Sequence, residues 1–442
     1  MSARAAVAMV PRLEGLLGRE AVITADVARW SVEGLVPTVA VRPGDVEQAA
    51  AVLRLCDESG AAVIPWGGGT AMELGNPPRA GDVILLTDRL AAIPDHDHTN
   101  LTVTVQAGAT LAALAAALGR CRQFLPLEPP RASSATAGGT VATNLNGPRR
   151  MRYGSVRDLV IGMRVAQANG VVVKFGGKTV KNVAGYDMAK LFVGSLGTLG
   201  LVTELTFKVM PVPETSRTAA VWGQDPARLW ALARRILGSP LGPSALVVAN
   251  ATAAGQLVGP GGRQGGPDRR AALLVRAEGV EPAVARHARD IAEWAHGGDL
   301  ECEMFGGDAE AGAWRAVCDF GWTSAGTAVR LTVPSGRTGA VMERLGHTLP
   351  ATTGLLADTL AGTLWLAFEA ADDAASALPA IADLAAACGG HLLLARAPHS
   401  LKADHGVWMP QPAGRVLELM KALKQSFDPK GILNPGRYVA GL

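Results

Sequence analysis

The chain has 442 residues, 48% of them hydrophobic and 18% charged, with a formal net charge of +3. That length calls for two or three cores in a globular protein. A charge so near neutral argues against nucleic acid or an anionic membrane as the main partner.

No transmembrane segment is expected. The apolar run 111–118 is too short to span a bilayer, and 354–371 is broken by Asp358. Residues 1–18 carry Arg4, Arg12 and Glu14 and lack the compact apolar core of a secretion signal, so a cytoplasmic chain is expected. Cys56, Cys121, Cys302, Cys318 and Cys388 are odd in number and widely spaced, with no C-x-x-C pair. Most are expected to pack in cores rather than form disulfides or bind metal.

The first half alternates strand and helix signals. A strand is predicted over 38–41. Asp45 suits an N-cap with Gln48 three residues on, and Val46, Ala49, Ala50, Leu53 and Cys56 share a helical face that Gly60 closes. A strand over 61–64 leads into Pro65, Trp66, Gly67, Gly68, Gly69 and Thr70. Backbone amides there suit a diphosphate, although neither a Walker lysine nor G-x-G-x-x-G accompanies them. Strands over 83–86 and 101–106 precede an Ala-rich helix over 110–118 and a rigid turn over 128–130. Residues 133–144, SSATAGGTVATN, begin as loop and become helix; their small side chains suit a flat ring or close helix packing.

Residues 160–167 and 171–175 read as a hairpin about Asn169 and Gly170. A helix over 188–193 ends at Gly194, placed for a left-handed cap. GSLGTLG then enters a half-buried strand, where Leu201, Thr203, Leu205, Phe207 and Val209 alternate with Glu204, Thr206 and Lys208. Each Gly-rich segment alone is explained by a tight turn. Three in one strand-rich unit point to a bound group that the backbone approaches closely.

Pro211, Val212 and Pro213 mark a boundary. Residues 214–400 mix helices and strands, and 258–268, VGPGGRQGGPD, reads as a flexible surface loop. No internal repeat is evident. A helix over 414–427, a turn over 428–431 and NPGR at 434–437 close the chain.

Taken in order, PWGGGT, EPP, ATAGGTVATN, YGSVRDLVIG, KNVAGYD, GSLGTLGLVTE and DPKGILNPGR resemble FAD-linked oxidases of the p-cresol methylhydroxylase and vanillyl-alcohol oxidase type. GPRR before GSVRD, FGGKTVKNVAGYD and the terminal NPGR resemble more closely still the E subunits of bacterial glycolate oxidases. The resemblance is dense over 38–213, returns over 415–439 and is thin between. It implies an α+β fold. A two-part FAD-binding domain spans 1–213, an α/β cap 214–410, and a segment over 411–442 carries a helix back to the first domain.

Carried onto this sequence, the resemblance puts Pro65, Trp66, Gly67, Gly68, Gly69 and Thr70 at the diphosphate. Pro130, Thr136, Gly138, Gly139 and Asn144 would line the FAD, and Tyr153 and Gly154 belong to the matching YG element. Gly194, Gly197, Leu201 and Val202 would meet its nucleotide half, and Asn434 and Gly436 the isoalloxazine. Gly69 and Thr70 stand where covalent members carry a histidine, so noncovalent FAD is expected.

The resemblance also implies flavin-dependent oxidation of glycolate to glyoxylate within a complex. A paralogous catalytic FAD subunit and an iron–sulfur subunit would be the partners, and would bring the chain to the inner face of the membrane. One departure stands out. Catalytic 2-hydroxy-acid dehydrogenases of the family carry His-x-Gly-Asp-Gly-Asn-x-His, which helps bind a metal and the substrate. This chain has GGHLLLAR over 389–396 instead, with His399 and His405 at the wrong spacing. No metal is expected.

Oxidising a 2-hydroxy acid needs a base for the hydroxyl, a cation for the carboxylate and the flavin as hydride acceptor. Arg330, Arg396 and Arg437 are candidate clamps because a guanidinium grips a carboxylate bidentately. His391 is a further catalytic candidate; for all four a structural role is the competing reading. Two alternatives stay open: a stand-alone FAD-dependent dehydrogenase for a 2-hydroxy acid such as D-lactate, and a flavin-stabilised scaffold.

Overall fold

The computed structural model describes residues 3–178, 186–257, 270–323 and 326–442. Residues 181–185 of the KNVAGYD segment and the 258–268 loop lie outside them. The chain first builds a four-stranded sheet in the order Val22–Ile23, Val39–Val41, Val83–Leu86, Val63–Trp66. The last three strands are parallel, so a crossover must join them. The helix Val46–Ser59 provides one, with Asp45 accepting the Gln48 N–H at 2.7 Å and Gly60 closing it at φ 70°. Its buried face is the predicted one, Val46, Ala49, Ala50, Leu53 and Cys56.

A five-stranded antiparallel sheet follows, in the order Asp95–Asp97, Thr102–Gln106, Leu201–Lys208, Val160–Ala166, Val172–Gly176. The predicted hairpin is its edge. Leu201–Lys208, expected to be half-buried, is buried on both faces except at Glu204 and Lys208. Two features explain the difference. A register shift between Val202 and Glu204 brings Val202, Leu205 and Phe207 into one core and sends Leu201 into another. The threonines are satisfied where they stand: Thr203 donates to the Arg164 carbonyl at 3.2 Å, and Thr206 pairs with Thr104 at 3.1 Å.

From Thr215 onward the chain builds a nine-stranded sheet whose paired strands are all antiparallel. Its second half runs Gly354–Asp358, Thr363–Phe368, Thr327–Thr332, His391–Arg396, Trp408–Met409. Leu355, Leu364, Leu366, Val329, Leu331, Leu392 and Leu394 point to one face, into a core shared with the helices Thr338–Thr348 and Ala371–Ala387. The period of two sends Asp358, Thr363, Arg330, Thr332 and His391 to the opposite face.

The helix Gly414–Phe427 returns to the first half, its Phe427 edge-on to Phe192 with ring centroids 5.5 Å apart. Asp428 then accepts from Lys424 Nζ at 2.6 Å and from the N–H groups of Ile432 at 3.0 Å and Leu433 at 2.8 Å. This turn adds the chain terminus to the first sheet: Val63 N–H donates to the Ile432 carbonyl and Asn434 N–H to the Val63 carbonyl, both at 2.8 Å.

The cysteines pack less deeply than expected. Cys56 alone is fully buried, Cys121 is exposed, and the other three are intermediate, Cys302 and Cys388 packing against the core of the nine-stranded sheet. Among the described residues, no helix is long and apolar enough to cross a membrane.

Candidate functional site

The strand Val63–Trp66 runs directly into the Gly67, Gly68, Gly69 loop. A Cβ on Gly67 would stand 2.3 Å from Thr136 Oγ1, and one on Gly68 1.8 Å from the Ser134 carbonyl oxygen. Only glycine lets this loop lie flat against the segment that starts the helix Ala137–Thr143. Thr136 caps that helix, accepting the Gly139 N–H at 3.2 Å. Among the described residues, nothing accepts from the backbone N–H groups of Gly67, Gly68, Gly69 and Thr70.

The opposite wall comes from Leu196, Gly197, Leu201 and Val202, tied to the helix by Leu196 N–H donating to the Ala142 carbonyl at 2.8 Å. Asn434 closes one end. Its amide donates to the Leu196 carbonyl at 2.6 Å, and its buried Oδ1 has no partner among the described residues. The cleft has a cavity volume of about 100 Å³ and opens to solvent.

Pro65, Trp66, Gly67, Gly68, Gly69, Thr70, Thr136, Gly138, Gly139, Gly197, Leu201, Val202 and Asn434 all line this cleft. Thr143 and Leu196, within the ATAGGTVATN and GSLGTLG segments, line it too, as do Thr87 and Ala107 without a motif to announce them. Pro130 and Asn144 line a neighbouring cavity. Tyr153, Gly154, Gly194 and Gly436 line neither. Tyr153 packs edge-on to Phe124 at 5.4 Å, and Gly154 lies beside Asp158, Gly194 beside Asn144 and Gly436 beside Arg79.

The second cavity, about 220 Å³, adjoins the cleft where Thr143 gives way to Asn144. Its floor is the polar face of the nine-stranded sheet. Strand register aligns Asp358, Thr363, Thr332 and His391 in one cross-strand row, and Leu356, Trp365, Arg330 and Leu393 in the next. Arg150 and Asn146 face them from the first half of the chain.

No group among the described residues accepts from the Arg330 guanidinium, and its Nε is buried. Burial, with Arg150 nearby, brings that guanidinium down to about 10. Asp358 is 8% exposed, accepts the Ala361 N–H at 3.3 Å and forms no ion pair among the described residues. Burial lifts its carboxyl to about 7, against the pull of Ala361 and Arg150. His391 stands at the rim, and partial burial followed by the Arg330 charge lowers its proton affinity.

The other candidate arginines are engaged elsewhere. Arg396 pairs with Glu73 at 3.0 Å. Arg437 lines the cleft but donates to the carbonyls of Asn76 at 2.9 Å and of Met72 and Leu74 at 2.6 Å, which pins residues 72–76.

The two halves are joined by buried charge. Arg149 meets Glu278 at 2.6 Å and Glu128 at 3.1 Å, and Arg276 meets Glu128 at 2.9 Å. Arg131 donates to the Thr70 and Trp322 carbonyls, linking the glycine loop to the second half. Among the described residues, no three His, Cys, Asp or Glu side chains gather as a metal site.

Comparison with known proteins gives the following. Residues 37–176 match the FAD binding domain family, and residues 352–438 match the C-terminal domain of FAD linked oxidases. Glycolate oxidase subunit GlcE of Escherichia coli (strain K12) is 33% identical over 355 residues, covering 79% of this chain and 85% of that protein. Glycolate oxidase subunit GlcD of Bacillus subtilis (strain 168) is 39% identical over 182 residues, 41% of this chain and 39% of that protein. The match to that relative therefore spans only about two-fifths of its length. The crystal structure of p-cresol methylhydroxylase with substrate bound superposes with a TM-score of 0.74 over 99% of this chain and 97% of that one. At 17% identity, that likeness speaks to fold alone.

Proposed function

The chain belongs to the FAD-linked oxidases, and from that membership we propose that it is an oxidoreductase acting on a small 2-hydroxy acid, foremost glycolate, as one subunit of an assembly. FAD is the cofactor of the family, and the first cleft suits it. The four unsatisfied N–H groups of residues 67–70 can receive the diphosphate, the side-chain-free loop admits close approach, and unpartnered Asn434 Oδ1 offers an acceptor. Gly69 and Thr70 offer no attachment atom of the histidine kind, which favours noncovalent binding. Bound FAD supplies a two-electron acceptor.

The observation that carries the substrate class is Arg330. Its Nε is buried without an acceptor among the described residues, which is costly unless a ligand supplies one. Arg330 and Arg150 face one cavity, and a substrate carboxylate would complete it. The hydroxyl-bearing carbon would then lie between the sheet face and the cleft.

Subunit status rests on the resemblance to glycolate oxidase subunits, with a paralogous FAD subunit and an iron–sulfur subunit as the proposed partners. Anaerobic mixing with glycolate or D-lactate tests the arrangement. Bleaching of the flavin only within the assembled complex supports the subunit reading, and bleaching in the isolated chain favours the stand-alone dehydrogenase. No bleaching in either setting with any small 2-hydroxy acid contradicts the proposed activity.

A further inference from the structure

Asp358 is buried, Arg330 is half-buried with a buried Nε, and the two line one cavity with no ion-pair partner for either among the described residues. They lie on one face of the sheet, separated by the strand Thr363–Phe368 and offset by one cross-strand row. Two-residue spacing and the strand separation put their α-carbons on the order of 12 Å apart. Thr363 and Trp365 of the intervening strand line the same cavity, whose volume of about 220 Å³ admits a ligand of a few heavy atoms. Asp358 ends its strand at a turn where the Ala361 N–H holds the carboxyl in place, so its position is set by backbone rather than by a mobile partner.

We propose that Asp358 is the catalytic base that takes the hydroxyl proton of a 2-hydroxy acid whose carboxylate is held by Arg330. The inference rests on the function proposed above and assigns the proton path within it. The hydroxyl O–H bond breaks, its proton passes to a carboxylate oxygen of Asp358, and its electron pair closes the new carbonyl. FAD, when bound, would supply the two-electron acceptor for the α-hydrogen and its bonding pair.

Four groups share the cavity with Asp358: Arg150 from the Arg150–Tyr153 turn, Arg330 and His391 from strands two and three places along the sheet, and Cys318 from the helix Gly307–Asp319. Burial raises the Cys318 thiol well above its ordinary value, and His391 is held below 6.5. Asp358, at about 7, ionises near neutrality, where a base is most effective.

The test uses FAD-loaded full-length protein, in its assembled complex for flavin reduction, as wild type, Asp358→Asn, Asp358→Glu and Arg330→Met. Calorimetry with oxalate, a carboxylate ligand that cannot be oxidised this way, reads the site without turnover. Wild-type affinity should weaken as the pH rises through about 7, because ionised Asp358 then faces the anion; Asp358→Asn should abolish that dependence and bind at least as tightly. With the 2-hydroxy acid that reduces the wild type, Asp358→Asn should slow flavin reduction about 100-fold or more. Asp358→Glu, which keeps the carboxylate, should restore part of the rate.

Wild-type reduction rates in Asp358→Asn with oxalate binding intact would overturn the base assignment and leave the proposed function standing. Oxalate affinity unmoved by Arg330→Met would overturn the proposed function and this inference with it.

Discussion

Gly68 lies so close to Ser134 that a Cβ on it would stand 1.8 Å from the Ser134 carbonyl oxygen. The contact is backbone against backbone, so no side-chain rotation can relieve it. Gly68→Ala should therefore push the loop away from the start of the helix Ala137–Thr143. We expect FAD affinity to fall at least tenfold and stability by about 1–3 kcal/mol, measured by flavin titration of apoprotein and denaturant unfolding.

The junction between the halves should be sensitive to acid. Glu278 has a side chain only 1% exposed and meets Arg149 at 2.6 Å. Burial would raise its carboxyl, but the Arg149 charge and hydrogen bond outweigh it and the net shift is downward. A carboxyl lowered on folding contributes stability that is fully present above its unfolded value. That contribution is lost as the pH falls through the folded value, here below 4.5. Glu278→Gln should remove this part of the acid sensitivity and leave Arg149 and Arg276 with Glu128. Truncating one partner of such a buried network costs about 3–5 kcal/mol. Unfolding followed from pH 7 to pH 3 in both proteins checks the sign.

Asp428 bonds two backbone N–H groups and Lys424 in the turn that adds the terminus to the first sheet. Asp428→Ala strands those donors and should cost about 2–4 kcal/mol, combining a charge-assisted bond with buried unsatisfied N–H groups. Because Asn434 closes one end of the cleft, FAD should dissociate faster as well. Stopped-flow release of the flavin measures this.

The contrast between the candidate arginines gives a further prediction. Arg396→Met removes a pair with Glu73 and should change stability without changing KM. Arg330→Met should raise KM for the acid about 10- to 100-fold, as expected for loss of a charged hydrogen bond of about 1.5–3 kcal/mol. Steady-state kinetics of the two variants, matched for flavin content, separates the roles.

The first cleft was largely legible in the sequence because its walls are continuous segments. PWGGGT, ATAGGT and GSLGTLG each carry their own backbone constraint, and their order holds them together. Thr87 and Ala107 escaped notice because single small residues at strand ends leave no pattern. The second cavity was hidden for a different reason. Arg330, Asp358 and His391 belong to three strands joined only by register, and no local spacing encodes register. Asp358 registered in the sequence merely as a charge interrupting the apolar run 354–371. In the fold that interruption is a buried carboxyl on the cavity floor, and a lone charge inside an apolar strand was the signal that could have found it.

The alternation of Leu201 to Lys208 pointed to one buried face. The bulge after Val202 and the satisfied threonines buried both. Turn and cap signals such as Asp45 and Gly60 are local, and the structure follows them closely.

The most direct measurement is anaerobic titration of the FAD-loaded chain, in its assembled complex, with glycolate, comparing wild type with Arg330→Met. The account predicts bleaching of this subunit's flavin in the wild type and, in the variant, a midpoint shifted to at least tenfold higher glycolate. A wild-type flavin that stays oxidised with glycolate and with every small 2-hydroxy acid tried, or a variant that titrates like the wild type, would contradict it.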